Sequence, residues 1–217
     1  MKKKLIIIWP WYFKSKDWDR YEVDELLKEK NLSVEIHEMI NIVAPNTQTR
    51  TNCKNSRLIK NYKTIDQWKK DLDKIIKKNK VFILNDIKSF NQNTYSIRKN
   101  LKKLQNESQI ILIEYRGTDC PEEEQQGIKF LPKIIYQLLI NPKLFYNYIR
   151  TKFYFFLDKK LKFSPNYLLL RNKQKHKNIP FSKKIFASSF DYSNQLINKY
   201  KKNKKKKIWY FNRFTSS

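Results

Sequence analysis

Glycine is almost missing from this chain. Its 217 residues contain two, Gly117 and Gly127, both in one short stretch. Cys53 and Cys120 stand alone with no C-x-x-C spacing, which argues against a disulfide framework and fits a reducing cytosol. The two histidines, His37 and His176, lie too far apart in sequence to suggest a metal pair, and no metal is expected. No apolar run reaches the roughly 18 residues of a membrane-spanning helix. The opening MKKKLIII has the charge of a secretory leader, but its apolar run is short and charged residues follow in place of a small-residue cleavage site. Acidic residues are also few, with Asp+Glu 20 against Lys+Arg 47 and a formal net charge of +27.

That excess has two readings. One is an anionic partner, nucleic acid or membrane. The other is compositional bias with solvated lysine faces, because the chain is also rich in Asn and Ile. Only eight of the basic residues are Arg, the side chain suited to gripping phosphates in a planar fork, which disfavours a dedicated nucleic-acid reader.

What the sequence does have is alternation. Leu5 to Ile8 is a short apolar run with no polar face, the pattern of a strand covered on both sides of a parallel sheet. Pro10 ends it. A helical pattern starts near Asp17 and carries Val23, Leu26 and Leu27 on one face, and Leu32, Val34 and Ile36 then alternate like a second strand. Together they make a βαβ unit. Met39 to Tyr62 is polar and irregular and is expected to be a long rim connection. Thr64 to Asn79 is the clearest helix, with Ile65, Trp68, Leu72, Ile75 and Ile76 at helical spacing and Thr64 with Gln67 in capping-box positions. Strands are expected at Val81 to Leu84 and Ile110 to Ile113, with a helix over Asn93 to Asn106 between them. This rhythm predicts an α/β fold: a Rossmann-like, mostly parallel sheet with helices on both faces.

In such a sheet ligands sit beyond the carboxyl ends of the strands. The working rim would then hold Trp9, Asn85, Asp86, Glu114, Tyr115, Arg116 and Asp119, although a solvated loop explains the last four equally well. Phe130 to Leu161 is a basic, aromatic segment that Pro142 should split into two helices. It suits the headgroup region of an anionic membrane, or packing against the sheet or a further domain. Strands follow at Tyr167 to Leu170, at Ile185 to Ala187 and, after KKNKKKK, at Ile208 to Phe211. Between the last two, Ser188, Ser189 and Asp191 can cap a helix or aim its N–H groups at an anion.

Two phrases, D-W-D-R-Y at 17–21 and F-D-Y at 190–192, each directly after a strand, resemble the N-terminal half of the glycosyltransferase-like proteins of bacterial surface-polysaccharide (capsule) and O-antigen gene clusters. The resemblance implies a GT-B arrangement, with two Rossmann-type halves facing a cleft, the first meeting the acceptor and the second the nucleotide-sugar donor. Residues 1–203 would be the acceptor-side domain, and 204–217 would open a donor-side domain that the chain lacks. Asp17, Arg20 and Tyr21 match the first box, and Asp191 and Tyr192 the second. Arg20 would contact a phosphate or sugar hydroxyl, or form a purely structural pair with an aspartate. Trp9 and Arg116 would join them in binding substrate. Asp119 or Glu114 would act as the base that deprotonates the acceptor hydroxyl.

A metal-binding Asp-x-Asp triplet is not expected, which disfavours the metal-dependent GT-A type. The implied ligands are a nucleotide-sugar donor and a lipid-linked or oligosaccharide acceptor, with no permanently bound cofactor. The implied partners are an anionic membrane surface and a C-terminal domain or partner chain. The implied location is cytoplasmic, with peripheral attachment at the inner face of the plasma membrane. The competing reading is a non-enzymatic, basic Rossmann-like module that docks a membrane or a protein. Nucleic-acid binding ranks last.

Overall fold

The computed structural model describes residues 2–45, 56–116, 141–170 and 183–186. Among these residues seven strands form one parallel sheet: β1 (Lys2–Trp9), β2 (Leu32–Glu38), β3 (Ile59–Asn61), β4 (Asn79–Asn85), β5 (Ile110–Arg116), β6 (Tyr167–Leu170) and β7 (Lys183–Phe186). Their order is β3-β2-β1-β4-β5-β6-β7, and every neighbouring pair runs parallel. The chain builds outward from β1 to β3, then returns to pair β4 with the other side of β1. This is the strand order of dinucleotide-binding sheets, extended by one strand. The expected Rossmann-like α/β fold is therefore the observed one.

The helices among the described residues are α1 (Ser15–Arg20), α2 (Val23–Leu26), α3 (Ile40–Val43), α4 (Ile65–Ile76), α5 (Gln92–Asn106) and α6 (Pro142–Leu161), with a 3-10 turn over Ser56–Leu58. Alternate residues of β1 feed two cores. Leu5, Ile7 and Trp9 pack with Phe13, Trp18, Val23 and Leu26 on one face. Ile6 and Ile8 pack with Trp68, Leu72, Ile97 and Leu101 on the other. A strand buried on both faces needs apolar residues at every position, which is why LIII has no polar member.

Two details depart from the sequence reading, while the helix boundary expected at Pro142 is where a helix begins. The helix after β1 is broken, with Glu22 in the left-handed region at φ 49° between α1 and α2. In a straight helix Trp18 and Val23 would point about 140° apart, and the break lets both face the same core. Met39 to Tyr62 is not wholly irregular: Met39, Ile40, Ile42 and Val43 are buried, and Ile59–Asn61 adds the edge strand β3. Three residues are too few for a period-2 pattern to be recognised in sequence. Pro142 stands at the first position of α6, where its missing N–H costs nothing.

The predicted cap of α4 is present, with Gln67 N–H donating to Thr64 Oγ1 at 3.2 Å. Asn91 and Thr94 cap α5 reciprocally, at 2.9 Å and 3.0 Å. The SSFDY turn, the strand at Ile208 to Phe211, the boundary at 203/204 and the first part of the 130–161 segment lie outside the described residues.

Candidate functional site

The chain reverses its direction of growth between β1 and β4, and in open parallel sheets the carboxyl ends of the strands at such a switch point are where ligands generally bind. Both neighbours of β1 are pinned to its exit. Met39 N–H donates to Trp9 O at 2.8 Å and Asp86 N–H to Ile8 O at 3.2 Å. The loop after β1 is tied to the end of β2 by Phe13 N–H donating to Glu38 Oε1 at 2.6 Å.

On the α1 side the sequence-predicted residues do meet. Trp9 packs edge-on against Phe13 and Tyr21, with ring centroids 5.8 Å and 5.7 Å away. Asp17 is buried, and its Oδ2 accepts from Lys14 N–H at 3.0 Å. Arg20 Nη1 lies 3.8 Å from the other oxygen, Oδ1, with the Arg20 side chain 45% exposed. Two buried polar atoms in this group have no hydrogen-bond partner, Trp9 Nε1 and Asp17 Oδ1. Buried polar atoms are nearly always satisfied, so an unmet donor and an unmet acceptor on the same end of the sheet suit an incoming hydroxyl. Trp11, 48% exposed, lies on the same loop.

Asp86, the first residue after β4, completes the rim. Burial raises its carboxyl from 3.8 to about 6; Lys88 and Arg20 oppose the rise, and Glu114 and Asp17 add to it. Such a group is about nine-tenths ionised at pH 7 and is a far stronger base than an ordinary aspartate.

The neighbouring ground, between β4 and β5, is closed by an ion-pair cluster. Glu114 Oε1 accepts from Arg98 Nη1 at 2.6 Å and from Asn85 Nδ2 at 3.2 Å. Arg98 also donates to Ile87 O and to Asp158 Oδ1, both at 2.8 Å, and its guanidinium stacks 3.8 Å from the Phe163 ring. Ser89 Oγ donates to the same Asp158 oxygen at 2.8 Å. Burial disfavours the Arg98 cation, but Glu114 and Asp158 outweigh it and hold the pKa above the usual arginine range. Glu114, expected as a candidate base, is thus buried and engaged with Arg98. Arg116 ends β5, with its side chain outside the described residues, as are Asp119, Asp191 and Tyr192.

A second polar cluster joins β2, β3 and α4. Trp68 Nε1–H donates to His37 Nδ1 at 3.2 Å, His37 Nε2 lies 3.3 Å from Tyr62 Oη, and Tyr62 O–H donates to Asp71 Oδ2 at 2.7 Å. With Nδ1 accepting, the proton of a neutral His37 sits on Nε2, and the relay runs one way from Trp68 to Asp71. Burial lowers the His37 pKa against the pull of Glu35. Burial would raise Glu35, but hydrogen bonds from His37 and Lys4, with the charges of Lys4 and Lys60, hold it at about 2. This cluster lies under α4, away from the β1/β4 switch point, and its partners satisfy one another.

Asp-x-Asp triplets do occur, at 17–19 and 71–73, which corrects the expectation of none. Both lie within helices, and Asp17 and Asp71 are already engaged inside the fold. Among the described residues no group of three or more His, Cys, Asp and Glu side chains could hold a metal ion. Among the same residues no helix is long and apolar enough to cross a membrane.

The sequence reading placed Asp86 on the rim without giving it a role, and it missed Arg98 and Asp158. The available signal was one acid, Asp158, in the otherwise basic helix 142–161. Comparison with protein-family models, curated proteins and solved structures gave no match.

Proposed function

We propose that this chain is the acceptor-side half of a glycosyltransferase of bacterial surface-polysaccharide assembly, attached peripherally to the inner face of the plasma membrane. The observation that carries the reading is the group of polar residues at the carboxyl ends of β1 and β4, where Trp9 Nε1 and Asp17 Oδ1 are buried without hydrogen-bond partners, Arg20 is ion-paired to Asp17 Oδ1 and partly exposed, and Asp86 has a raised pKa. The D-W-D-R-Y phrase supplies three residues of that rim. Trp11 offers an exposed ring on which a pyranose can stack, and the unmet donor and acceptor fix its hydroxyls.

Asp86 is the base. Its carboxylate takes the proton of the acceptor hydroxyl while that oxygen bonds the anomeric carbon of the donor. The bond from that carbon to phosphate breaks, and the nucleoside diphosphate leaves with the electron pair. A C-terminal or partner domain supplies the donor. Glu114 keeps the loop after β4 in place through Arg98 and Asn85, and does not itself reach the acceptor.

Acceptor binding tests the reading directly. The full chain is titrated with alkyl glycosides of hexoses and N-acetylhexosamines, followed by tryptophan fluorescence and saturation-transfer NMR. At least one glycoside should bind at millimolar concentration or better, and Asp17→Ala and Arg20→Ala should each weaken it about tenfold, the scale of one lost charge-assisted hydrogen bond. Absence of binding across the panel, or binding indifferent to both substitutions, rejects the assignment.

A further inference from the structure

We propose that the outer face of α6 is an in-plane docking surface for an anionic phospholipid bilayer. The inference rests on the peripheral placement given above and not on the transfer chemistry. α6 has 20 residues, about 30 Å of helix. Phe145, Ile149, Phe153 and Phe156, spaced by four, four and three residues, form one stripe and are 48%, 49%, 53% and 53% exposed. Four large apolar side chains in a line are more than the scattered exposure usual for a soluble surface. The opposite face is occupied, with the Tyr154 ring 6.1 Å from Tyr95 of α5 and Asp158 bonded to Arg98 and Ser89.

Charge selects the occupant. α6 carries Lys143, Arg150, Lys152, Lys159 and Lys160, and its only acid is Asp158. Because Asp158 is turned inward onto Arg98, the outer face is purely cationic. A second copy of this face would oppose cation to cation. An anionic headgroup layer neutralises it while the rings enter the acyl boundary, the arrangement of interfacial helices. Two lysines are already placed for this, with Lys152 Nζ 5.5 Å from the Tyr148 ring centre and Lys160 Nζ 4.7 Å from that of Phe156. Long lysine side chains beside apolar rings can extend so that their ammonium groups rise to the phosphates.

The test is flotation of the full chain with vesicles of phosphatidylcholine alone or mixed with phosphatidylglycerol. The chain should float with the mixed vesicles only, and added salt should release it. Lysines elsewhere in the chain could produce that much, so the surface is tested by F145S/F153S/F156S. These side chains are exposed, so the circular dichroism spectrum should be unchanged while partitioning falls about tenfold or more. K152Q/K159Q/K160Q should lower it about fivefold per lysine.

Failure to float with anionic vesicles overturns the proposal. So does a phenylalanine triple variant that floats like the parent, or one whose only change is the loss of a dimer in ultracentrifugation. Flotation without glycoside binding would reject the glycosyltransferase reading and leave this surface standing; glycoside binding without flotation would do the reverse.

Discussion

Asp86→Asn separates a base held ready for chemistry from an aspartate that merely caps a strand. The folded chain holds the Asp86 carboxyl at about 6 against an ordinary 3.8. An acid with a raised folded pKa binds its proton more tightly in the native state. Its stability contribution is therefore complete below the unfolded value of 3.8 and is lost as pH rises through about 6. The difference between those values corresponds to about 3 kcal/mol, and solvent reaching the rim reduces it to about 2 kcal/mol. Asparagine has nearly the same shape and never ionises. The variant should therefore escape a cost that the parent carries at neutral pH.

The assay is thermal unfolding of parent and variant by calorimetry at about pH 4 and about pH 8. Comparing the two proteins at each pH cancels every other titrating group, which matters because Glu35 and His37 act in the opposite direction. The variant's advantage in Tm should grow by about 4–8 °C between the two conditions, at roughly 2–4 °C per kcal/mol for a chain of this size. On the proposed glycosyltransferase reading, sugar transfer should fall by at least about a hundredfold in the same variant. A Tm difference that does not change with pH would refute the argument, as would an asparagine variant less stable than the parent at pH 8.

Three further outcomes follow from the buried polar groups. Arg98→Met leaves Glu114 and Asp158 without their cation, and should cost about 3–5 kcal/mol in denaturant unfolding; a loss below 1 kcal/mol would mean that the cluster is solvated. Glu35, held at about 2 against an ordinary 4.5, contributes stability above 4.5 that disappears as pH falls toward 2. Glu35→Gln should therefore cost about 2 kcal/mol at pH 7 after solvent screening, and the gap between variant and parent should close on acidification. Thr64→Ala removes the oxygen that Gln67 N–H donates to, and should cost about 1 kcal/mol by urea unfolding with no pH dependence.

The sheet was legible in the sequence because its signals are local. LIII at 5–8, VFIL at 81–84 and IILI at 110–113 announce buried strands through unbroken apolar runs, and IDQWKKDLDKII announces its helix through spacing and a cap. The site was less legible because its signals depend on three-dimensional placement. Nothing in the string NDIKS says that Asp86 lies within electrostatic reach of Arg20, 66 positions earlier, since a carboxyl's pKa depends on its burial and on neighbours that only the sheet order supplies. Arg98 sits in the α5 pattern next to Ile97, where an arginine normally reads as solvent-facing, and is drawn inward by two acids 16 and 60 residues away.

The two clusters at the sheet's carboxyl end also explain each other. Glu114 and Asp158 share one cation, Arg98, and the network they form fixes the loop after β4 through Ile87 O and Ser89. Asp86 sits on that fixed loop within electrostatic reach of two acids, Glu114 and Asp17, and both raise its pKa further. A rigid, fully paired network beside a single high-pKa carboxyl is the arrangement expected where one carboxylate must hold position and another must exchange its proton. Breaking the Arg98 pair should therefore disturb Asp86 as well. In Arg98→Met the Asp86 pKa, followed by carboxyl NMR, should move further above 6 as the uncompensated charge of Glu114 is felt across the loop. An Asp86 that titrates unchanged in that variant would show that the two clusters are independent.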